Sequence, residues 1–237
     1  MESGRHLRRK ELARADAFVF DLDGTLVDTV ETRIVAWLRT FEEFGIKAHR
    51  EQVAKLIGSD GKRVAQVVAQ AAGEAIDSER AEEIDKRAGD IYSELNTDPK
   101  GLPGAIELLR ALDDHGLLWA VATSSRREQV DASINALALA RRPLIIDGSQ
   151  VKRAKPAPDL LLMAARELGV EPSRGWYVGD AIWDMQAARA AGMPAIGVVG
   201  GSATAEELAE AGASFTVKDL TELIPLLSSA DNRRTCD

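Results

Sequence analysis

The stretch DAFVFDLDGT, residues 16–25, decides the fold of this chain. It begins as a short apolar run, which is typical of a buried strand in a parallel sheet. Asp21 and Asp23 follow this run two positions apart on one extended segment, so their side chains share an orientation. Gly24 and Thr25 then allow the backbone to turn tightly. The stretch therefore predicts a strand that presents two carboxylates at its C-terminal end.

The same design recurs downstream, where short apolar runs alternate with helical patterns. The further strands are predicted over residues 117–123, 143–147, 175–180, 194–199 and, at a sheet edge, 213–217. The intervening helices are predicted over residues 104–115, 126–139, 157–168 and 182–191. This alternation predicts an α/β fold with a Rossmann-like, doubly wound parallel sheet.

A long insertion separates the first strand from the second. Its patterns are amphipathic and helical throughout, and its length is too great for an ordinary crossover connection. We interpret residues 29–100 as an inserted helical cap domain and residues 15–28 and 101–237 as the catalytic core. Residues 1–14 are interpreted as a flexible N-terminal extension.

Composition narrows the classes of function. The 237 residues are 45% apolar and carry a net charge of −8, which disfavours a nucleic-acid or membrane-surface partner because those need a basic face. The only cysteine, Cys236, leaves no intrachain disulfide framework, and a cytoplasmic location is expected.

Two more acids follow a later strand. Asp180 and Asp184 lie in the segment VGDAIWD, residues 178–184. Helix capping by Asp180 explains one acid but not the cluster, and uncompensated carboxylates repel one another. Mg²⁺ prefers a few carboxylates, waters and a phosphate oxygen. The sequence therefore predicts a Mg²⁺ site formed by Asp21, Asp180 and the backbone carbonyl of Asp23.

Groups suited to phosphate occur at two further positions. Thr123 and Ser124 end the second strand, where a hydroxyl and backbone amides can bind phosphate oxygens, although a helix cap before Arg126 explains them equally well. Lys155 precedes Pro156-Ala157-Pro158, a rigid turn that aims its ammonium group.

Taken in chain order, these motifs resemble the haloacid dehalogenase superfamily, and within it the phosphoglycolate-phosphatase-like and β-phosphoglucomutase-like members with a helical cap. The resemblance spans about residues 16–227. Its markers are Asp21-Leu-Asp23-Gly-Thr, Thr123, Lys155 in Lys-Pro-Ala-Pro-Asp, and Gly179-Asp180 with Asp184.

The resemblance implies roles for these residues. Asp21 would form an aspartyl-phosphate, and Asp23 would act as general acid and base. Thr123 and Lys155 would grip the phosphoryl group. The other positions expected at the substrate or metal are Gly24, Thr25 and Ser124 at the substrate, Asp180 on Mg²⁺, and Asp184 as an acid that orients a water or Lys155.

Two residues distinguish this sequence from related families. Asp23 speaks against haloacid dehalogenases proper and phosphonoacetaldehyde hydrolases, which lack this acid. Ser124 stands where many relatives have asparagine, which affects substrate contact rather than the class of enzyme.

Substrate choice is expected to reside in the cap. The segment GSDGKR, residues 58–63, is predicted to reach over the site, with Lys62 and Arg63 binding a substrate carboxylate or hydroxyls; ordinary solvated helix residues are the alternative. Trp183 either walls the pocket or packs against the cap.

The function predicted on this basis is Mg²⁺-dependent, phosphoglycolate-phosphatase-like hydrolysis of a small phosphorylated metabolite by a monomer or homodimer. One alternative is a sugar phosphomutase, which would use the same residues to return the phosphoryl group to a sugar. Another is a non-catalytic phospho-acceptor of the receiver type, which the helical insertion and the Asp-x-Asp-Gly-Thr spacing disfavour.

Overall fold

The computed structural model of the protein describes residue 12 and residues 14–227. Within them, six strands form one parallel sheet in the order β3-β2-β1-β4-β5-β6. The strands are β1 Ala17–Phe20, β2 Leu118–Ala122, β3 Leu144–Ile146, β4 Gly175–Gly179, β5 Ala195–Val198 and β6 Phe215–Val217. The predicted fold class is confirmed, and β6 lies at the sheet edge as expected.

Helices cover both faces of this sheet. Because successive strand residues point to opposite faces, Phe18 and Phe20 pack on one side and Val19 packs on the other. The first side is covered by α5 Ala105–Asp114, α6 Arg127–Ala136 and α10 Ile224–Leu227, and the second by α7 Asp159–Leu168, α8 Ile182–Ala191 and α9 Ala205–Ala211. Short 3₁₀ helices occupy Gly148–Gln150, Pro172–Arg174 and Leu220–Glu222.

The boundaries agree with the sequence patterns to within a few residues. The helix predicted over 182–191 has those bounds. The helix predicted over 126–139 ends earlier, at Ala136, and Ala138 adopts a φ of 45°, which a right-handed helix cannot include. No helix in the described part of the chain is long and apolar enough to cross a bilayer.

Four helices lie between β1 and α5, and we call residues 30–95 the helical insertion. They are α1 Val30–Glu43, α2 Arg50–Ala54, α3 Gly61–Ala71 and α4 Ser78–Leu95. They share a hydrophobic cluster that includes Phe41, Val68 and Ile84, and Trp183 at the start of α8 joins it. The insertion is therefore packed against the start of α8.

Most of the predicted N-terminal extension, residues 1–14, lies outside the described residues, as does Cys236.

Candidate active site

The C-terminal ends of three neighbouring strands bring the polar residues together. Asp21 follows β1, Thr123 follows β2 and Asp180 follows β4, and β1 lies between the other two strands. The Asp21 amide donates to the carbonyl of Val178 at 2.8 Å, so the sheet hydrogen bonding holds the backbone of Asp21 in place. Such a sheet edge is where open α/β sheets bind ligands.

Lys155 is fully buried between two carboxylates. Its Nζ lies 2.6 Å from Asp21 Oδ1 and 2.7 Å from Asp184 Oδ1. Burial alone would lower the pKa of Lys155, but Asp184 and Asp21 outweigh it and raise the pKa above its ordinary value. The lysine is therefore a fixed cation under the site. Asp184 is itself oriented by the Tyr177 hydroxyl at 2.9 Å and the Ala181 amide at 2.9 Å.

Asp21 has one restrained oxygen and one free oxygen. Lys155 holds Oδ1, whereas Oδ2 is buried and accepts no hydrogen bond. Burial raises the pKa of Asp21 well above its ordinary value; Lys155 opposes this shift, and the neighbouring acids Asp184, Asp180 and Asp23 add to it. A buried polar atom without a partner is rare, and it marks a position that a ligand would satisfy.

Three buried acids form a group that could hold a metal ion. Asp21, Asp180 and Asp184 each offer one oxygen, and these oxygens lie within 4.8 Å of one another. Burial, and then Asp184, raise the pKa of Asp180 to about 6. Lys155 supplies one positive charge to three carboxylates, so a second cation fits the remaining charge. Carboxylate oxygens are ligands for hard divalent cations such as Mg²⁺.

Gly24 and Thr25 support Asp180 and do not line the cavity. Thr25 Oγ1 donates to Asp180 Oδ1 at 2.9 Å, and the Ser202 amide donates to Oδ2 at 2.8 Å. Gly24 has a φ of 86°, and a Cβ there would lie 2.6 Å from Asp180 Oδ2. A glycine is needed at this turn both for its conformation and for the close approach of the carboxylate.

Asp23 accepts hydrogen bonds from four side chains. Thr29 and Tyr92 donate to Oδ1 at 2.6 and 2.9 Å, and Ser125 and Arg33 donate to Oδ2 at 2.6 and 3.0 Å. Burial would raise the pKa of Asp23, but Arg33 and the hydroxyl donors outweigh it and hold the pKa below its ordinary value. Asp23 is therefore an anion in this arrangement.

Arg33 is a site residue that the sequence patterns did not reveal. Its guanidinium donates hydrogen bonds to Asp23, to Ser125 Oγ at 2.5 Å and to Gln129 Oε1 at 2.7 Å. The same group lies 3.4 Å above the ring centre of Tyr92. One feature of the sequence could have indicated it: Arg33 lies four residues before the buried Trp37 on α1, so the two side chains share one face of the helix.

A cavity of about 50 Å³ lies between the sheet edge and the helical insertion. The sheet side contributes Asp21, Asp23, Thr123, Ser124, Ser125 and Lys155, and the insertion contributes Arg33, Trp37, Leu56, Ile57, Gly58, Ser59, Gly61, Val64 and Asp85. The cavity is small, and both the sheet edge and the insertion line it.

The segment of residues 58–63 contacts the core at the cavity. Ser124 Oγ donates to the Gly58 carbonyl at 3.1 Å, and the Asp60 amide donates to the Lys155 carbonyl at 2.8 Å. The side chain of Asp60 also accepts from the Ala154 amide at 3.2 Å. The insertion is thus bonded to the turn that carries Lys155.

The structure does not bring the side chains of Lys62 and Arg63 to the cavity. The Lys62 ammonium lies 3.4 Å from Glu82, and the Arg63 guanidinium lies 5.0 Å from the ring centre of Trp183. Of the two roles considered for Trp183, its contacts match packing, since its indole donates to the Lys55 carbonyl at 3.1 Å and it belongs to the apolar cluster of the insertion.

Comparisons with known proteins agree with this geometry. A family model described as haloacid dehalogenase-like hydrolase matches residues 18–198. The N-acetylmuramic acid 6-phosphate phosphatase of Pseudomonas aeruginosa is 33% identical over 94% of this chain and 98% of that protein. Phosphoglycolate phosphatase 1 of the same organism is 31% identical over 90% of this chain and 79% of that protein.

A solved structure extends the likeness to three dimensions. The crystal structure of a hydrolase from Pseudomonas syringae superimposes with a TM-score of 0.85 and 33% identity, covering 90% of this chain and 98% of that one. The matched fold, the residues at the strand ends and the named phosphatases all indicate the same class of enzyme. The chain therefore belongs to the haloacid dehalogenase-like hydrolases and is an enzyme that acts on phosphoric monoesters.

Proposed function

We propose that the protein is a Mg²⁺-dependent phosphatase that hydrolyses small phosphate monoesters through an aspartyl-phosphate on Asp21. The observation that carries this proposal is the state of the Asp21 carboxylate. Lys155 fixes Oδ1 at 2.6 Å, and Oδ2 is buried, without a hydrogen bond, in a residue that lines the cavity. A restrained carboxylate with one free oxygen is suited to nucleophilic attack on phosphorus.

Asp21 and Asp180, with the backbone carbonyl of Asp23, would hold the metal, and Asp184 would orient Lys155 beside them. When bound, Mg²⁺ supplies positive charge that neutralises phosphoryl oxygens and the excess charge of the carboxylates. Two observations support this assignment: the three acids lie close together, and Lys155 supplies only one positive charge to them.

In the first step, Oδ2 of Asp21 forms a bond to phosphorus while the bond from phosphorus to the leaving oxygen breaks. A proton passes from Asp23 to that oxygen, and the alcohol departs. Asp23 is ionised in this arrangement, so it must take up a proton from solvent when the substrate binds. A phosphate dianion beside it would raise its pKa in the required direction.

In the second step, Asp23 accepts a proton from water as the water oxygen attacks phosphorus and the bond to Asp21 breaks. The four donors around Asp23 stabilise the anion, which is the form that this base needs. Inorganic phosphate and the free Asp21 carboxylate are the products.

Thr123 and Lys155 would bind the oxygens of the transferring phosphoryl group. The Thr123 hydroxyl accepts from the Ser125 amide at 3.1 Å, which leaves its own hydrogen available to donate. Ser124 also lines the cavity and would contribute to phosphate binding. Lys155 keeps its charge throughout, since its pKa is raised. Fixed donors at the phosphoryl group need no reorganisation during the reaction.

Residues 29–100 would act as a movable cap on a core formed by residues 15–28 and 101–237. The insertion lines one side of the small cavity, so its movement away from the sheet edge would widen the site for a substrate. Reclosure would exclude bulk water from the aspartyl-phosphate.

The test is steady-state release of phosphate from an aryl phosphate, with and without Mg²⁺. We expect release that depends on Mg²⁺ and on Asp21, so that Asp21→Asn is inactive. Asp147→Asn is the matched control, because Asp147 is another buried acid that follows a strand, β3, but does not line this cavity. Absence of Mg²⁺-dependent release, or full activity in Asp21→Asn, contradicts the proposal.

A further inference from the structure

The wall that the helical insertion presents to the cavity is largely apolar and has no part in the steps above. Trp37, Leu56 and Val64 contribute to its surface. Apart from Arg33, Asp85 is the only charged residue that the described part of the insertion adds to the cavity lining. The leaving group of a bound monoester would meet this wall, because the phosphoryl group is expected at the sheet edge.

Both cations that line the cavity in the described residues already have carboxylate partners. Lys155 lies between Asp21 and Asp184 at 2.6 and 2.7 Å. Arg33 is paired with Asp23 at 3.0 Å and gives its other hydrogen bonds to Ser125 and Gln129. A carboxylate on the substrate would have to displace one of these pairs to find a positive charge.

Asp85 adds a negative group at the wall and keeps the nearby arginine occupied. Its Oδ2 lies 2.6 Å from Arg126, and the same guanidinium lies 2.5 Å from Glu82. A Cβ on Gly61 would lie 1.8 Å from Asp85 Oδ1, so the glycine permits the carboxylate to approach α3 at the cavity. Glu82 also lies 3.4 Å from the Lys62 ammonium, so both cations of this corner already have carboxylate partners, and Asp85 is the member of the group that lines the cavity.

We propose that this wall selects monoesters whose leaving group is neutral and bears hydroxyls, and excludes leaving groups with a carboxylate, with Asp85 as the specificity-determining residue. This inference rests on the proposed phosphatase activity. A hydroxyl can donate a hydrogen bond to Asp85. A carboxylate on the leaving group would instead lie beside the negative charge of Asp85. It would lose its hydration without gaining a cation, so its binding would be strongly unfavourable.

Phosphoglycolate and hydroxyethyl phosphate form a matched pair of substrates, since they differ only in a carboxylate and a hydroxymethyl group. We expect kcat/KM to be at least about tenfold higher for hydroxyethyl phosphate. Each compound is also titrated as a competitive inhibitor of aryl phosphate hydrolysis, which reports its binding even where turnover is slow. Hydroxyethyl phosphate is expected to be the stronger inhibitor.

Two variants separate the role of Asp85 from general charge effects. Asp85→Asn leaves Arg126 with one anionic partner. We expect this variant to raise the ratio of kcat/KM for phosphoglycolate to kcat/KM for hydroxyethyl phosphate by about tenfold. Glu82→Gln removes the other partner of the same guanidinium at a residue that does not line the cavity, and should leave the ratio unchanged.

A preference of the unmodified enzyme for phosphoglycolate overturns the proposal, as does an equal change of ratio in Asp85→Asn and Glu82→Gln. The unmodified enzyme suffices for the first comparison, so a variant that folds poorly does not block the test. Absence of any aryl phosphate hydrolysis contradicts the phosphatase assignment instead, which distinguishes the two failures.

Discussion

Replacement of Arg33 by methionine tests the electrostatics around Asp23. The variant keeps an apolar side chain of similar length on the Tyr92 ring and removes the guanidinium that lies 3.0 Å from Asp23. Loss of one partner from a buried ion pair costs about 3–5 kcal/mol. Asp23 keeps three hydroxyl donors, so we expect a loss of folding stability at the lower end of this range, about 3 kcal/mol. For a chain of this size that corresponds to a fall in Tm of about 6–12 °C.

The loss should depend on pH in a defined direction. In the unmodified protein the pKa of Asp23 is lowered, so the stabilisation is present above the ordinary carboxylate pKa and is lost only as the pH falls through the lowered value. Without Arg33, burial raises the pKa of Asp23 and makes the anion costly at neutral pH. Protonation in mild acid removes that cost, so the deficit in stability shrinks as the pH falls.

Calorimetric Tm values at about pH 7.5 and about pH 4.5 provide the assay. Arg39→Met is the control, since Arg39 is exposed on the same helix. We expect a large fall in Tm at the higher pH and a clearly smaller one at the lower pH for Arg33→Met, and little change for Arg39→Met. An equal deficit at both pH values, or an equal effect of the two substitutions, would refute the reasoning.

Three further outcomes are expected. Mg²⁺ should raise Tm at about pH 7.5 and raise it less at about pH 5, because the pKa of Asp180 is about 6 and protons compete for the same carboxylate; calorimetry with and without the ion checks this. Lys155→Met should lower kcat for an aryl phosphate at least ~100-fold and enlarge the Mg²⁺-induced rise in Tm, since the buried acids lose their lysine. Gly89→Ala should cost about 1–3 kcal/mol in urea unfolding, since a Cβ there would lie 2.0 Å from Gln129 Nε2 and must displace the side chain that accepts from Arg33.

The fold was predictable from local patterns. A buried parallel strand is an uninterrupted apolar run, and β1 and β4 are each such a run followed by an acid. Strand position then places the acids, because the ends of neighbouring parallel strands share one edge of the sheet. The positions of Asp21, Thr123 and Asp180 at this edge were therefore predictable from periodicity and the order of elements alone.

The surroundings of Asp23 were not predictable in this way. Arg33 and Tyr92 lie within helices and contact Asp23 only through packing between separate elements, and Gln129 contacts Arg33 in the same way. Lys62 and Arg63, which were predicted to bind the substrate, do not line the cavity for a related reason. Their loop was placed over the site, but burial of Val64 and Val68 sets the rotation of α3 and turns the two side chains away from the cavity.

The central claim is that Asp21 carries the phosphoryl group during turnover. The most direct measurement is acid quenching of the enzyme during hydrolysis of an aryl phosphate with Mg²⁺, followed by mass spectrometry of its peptides. We predict one added phosphoryl group on the peptide that contains Asp21, formed in the quenched steady state and absent from Asp21→Asn. A phosphoryl group on a different residue, or turnover at the full rate in Asp21→Asn, would contradict the account.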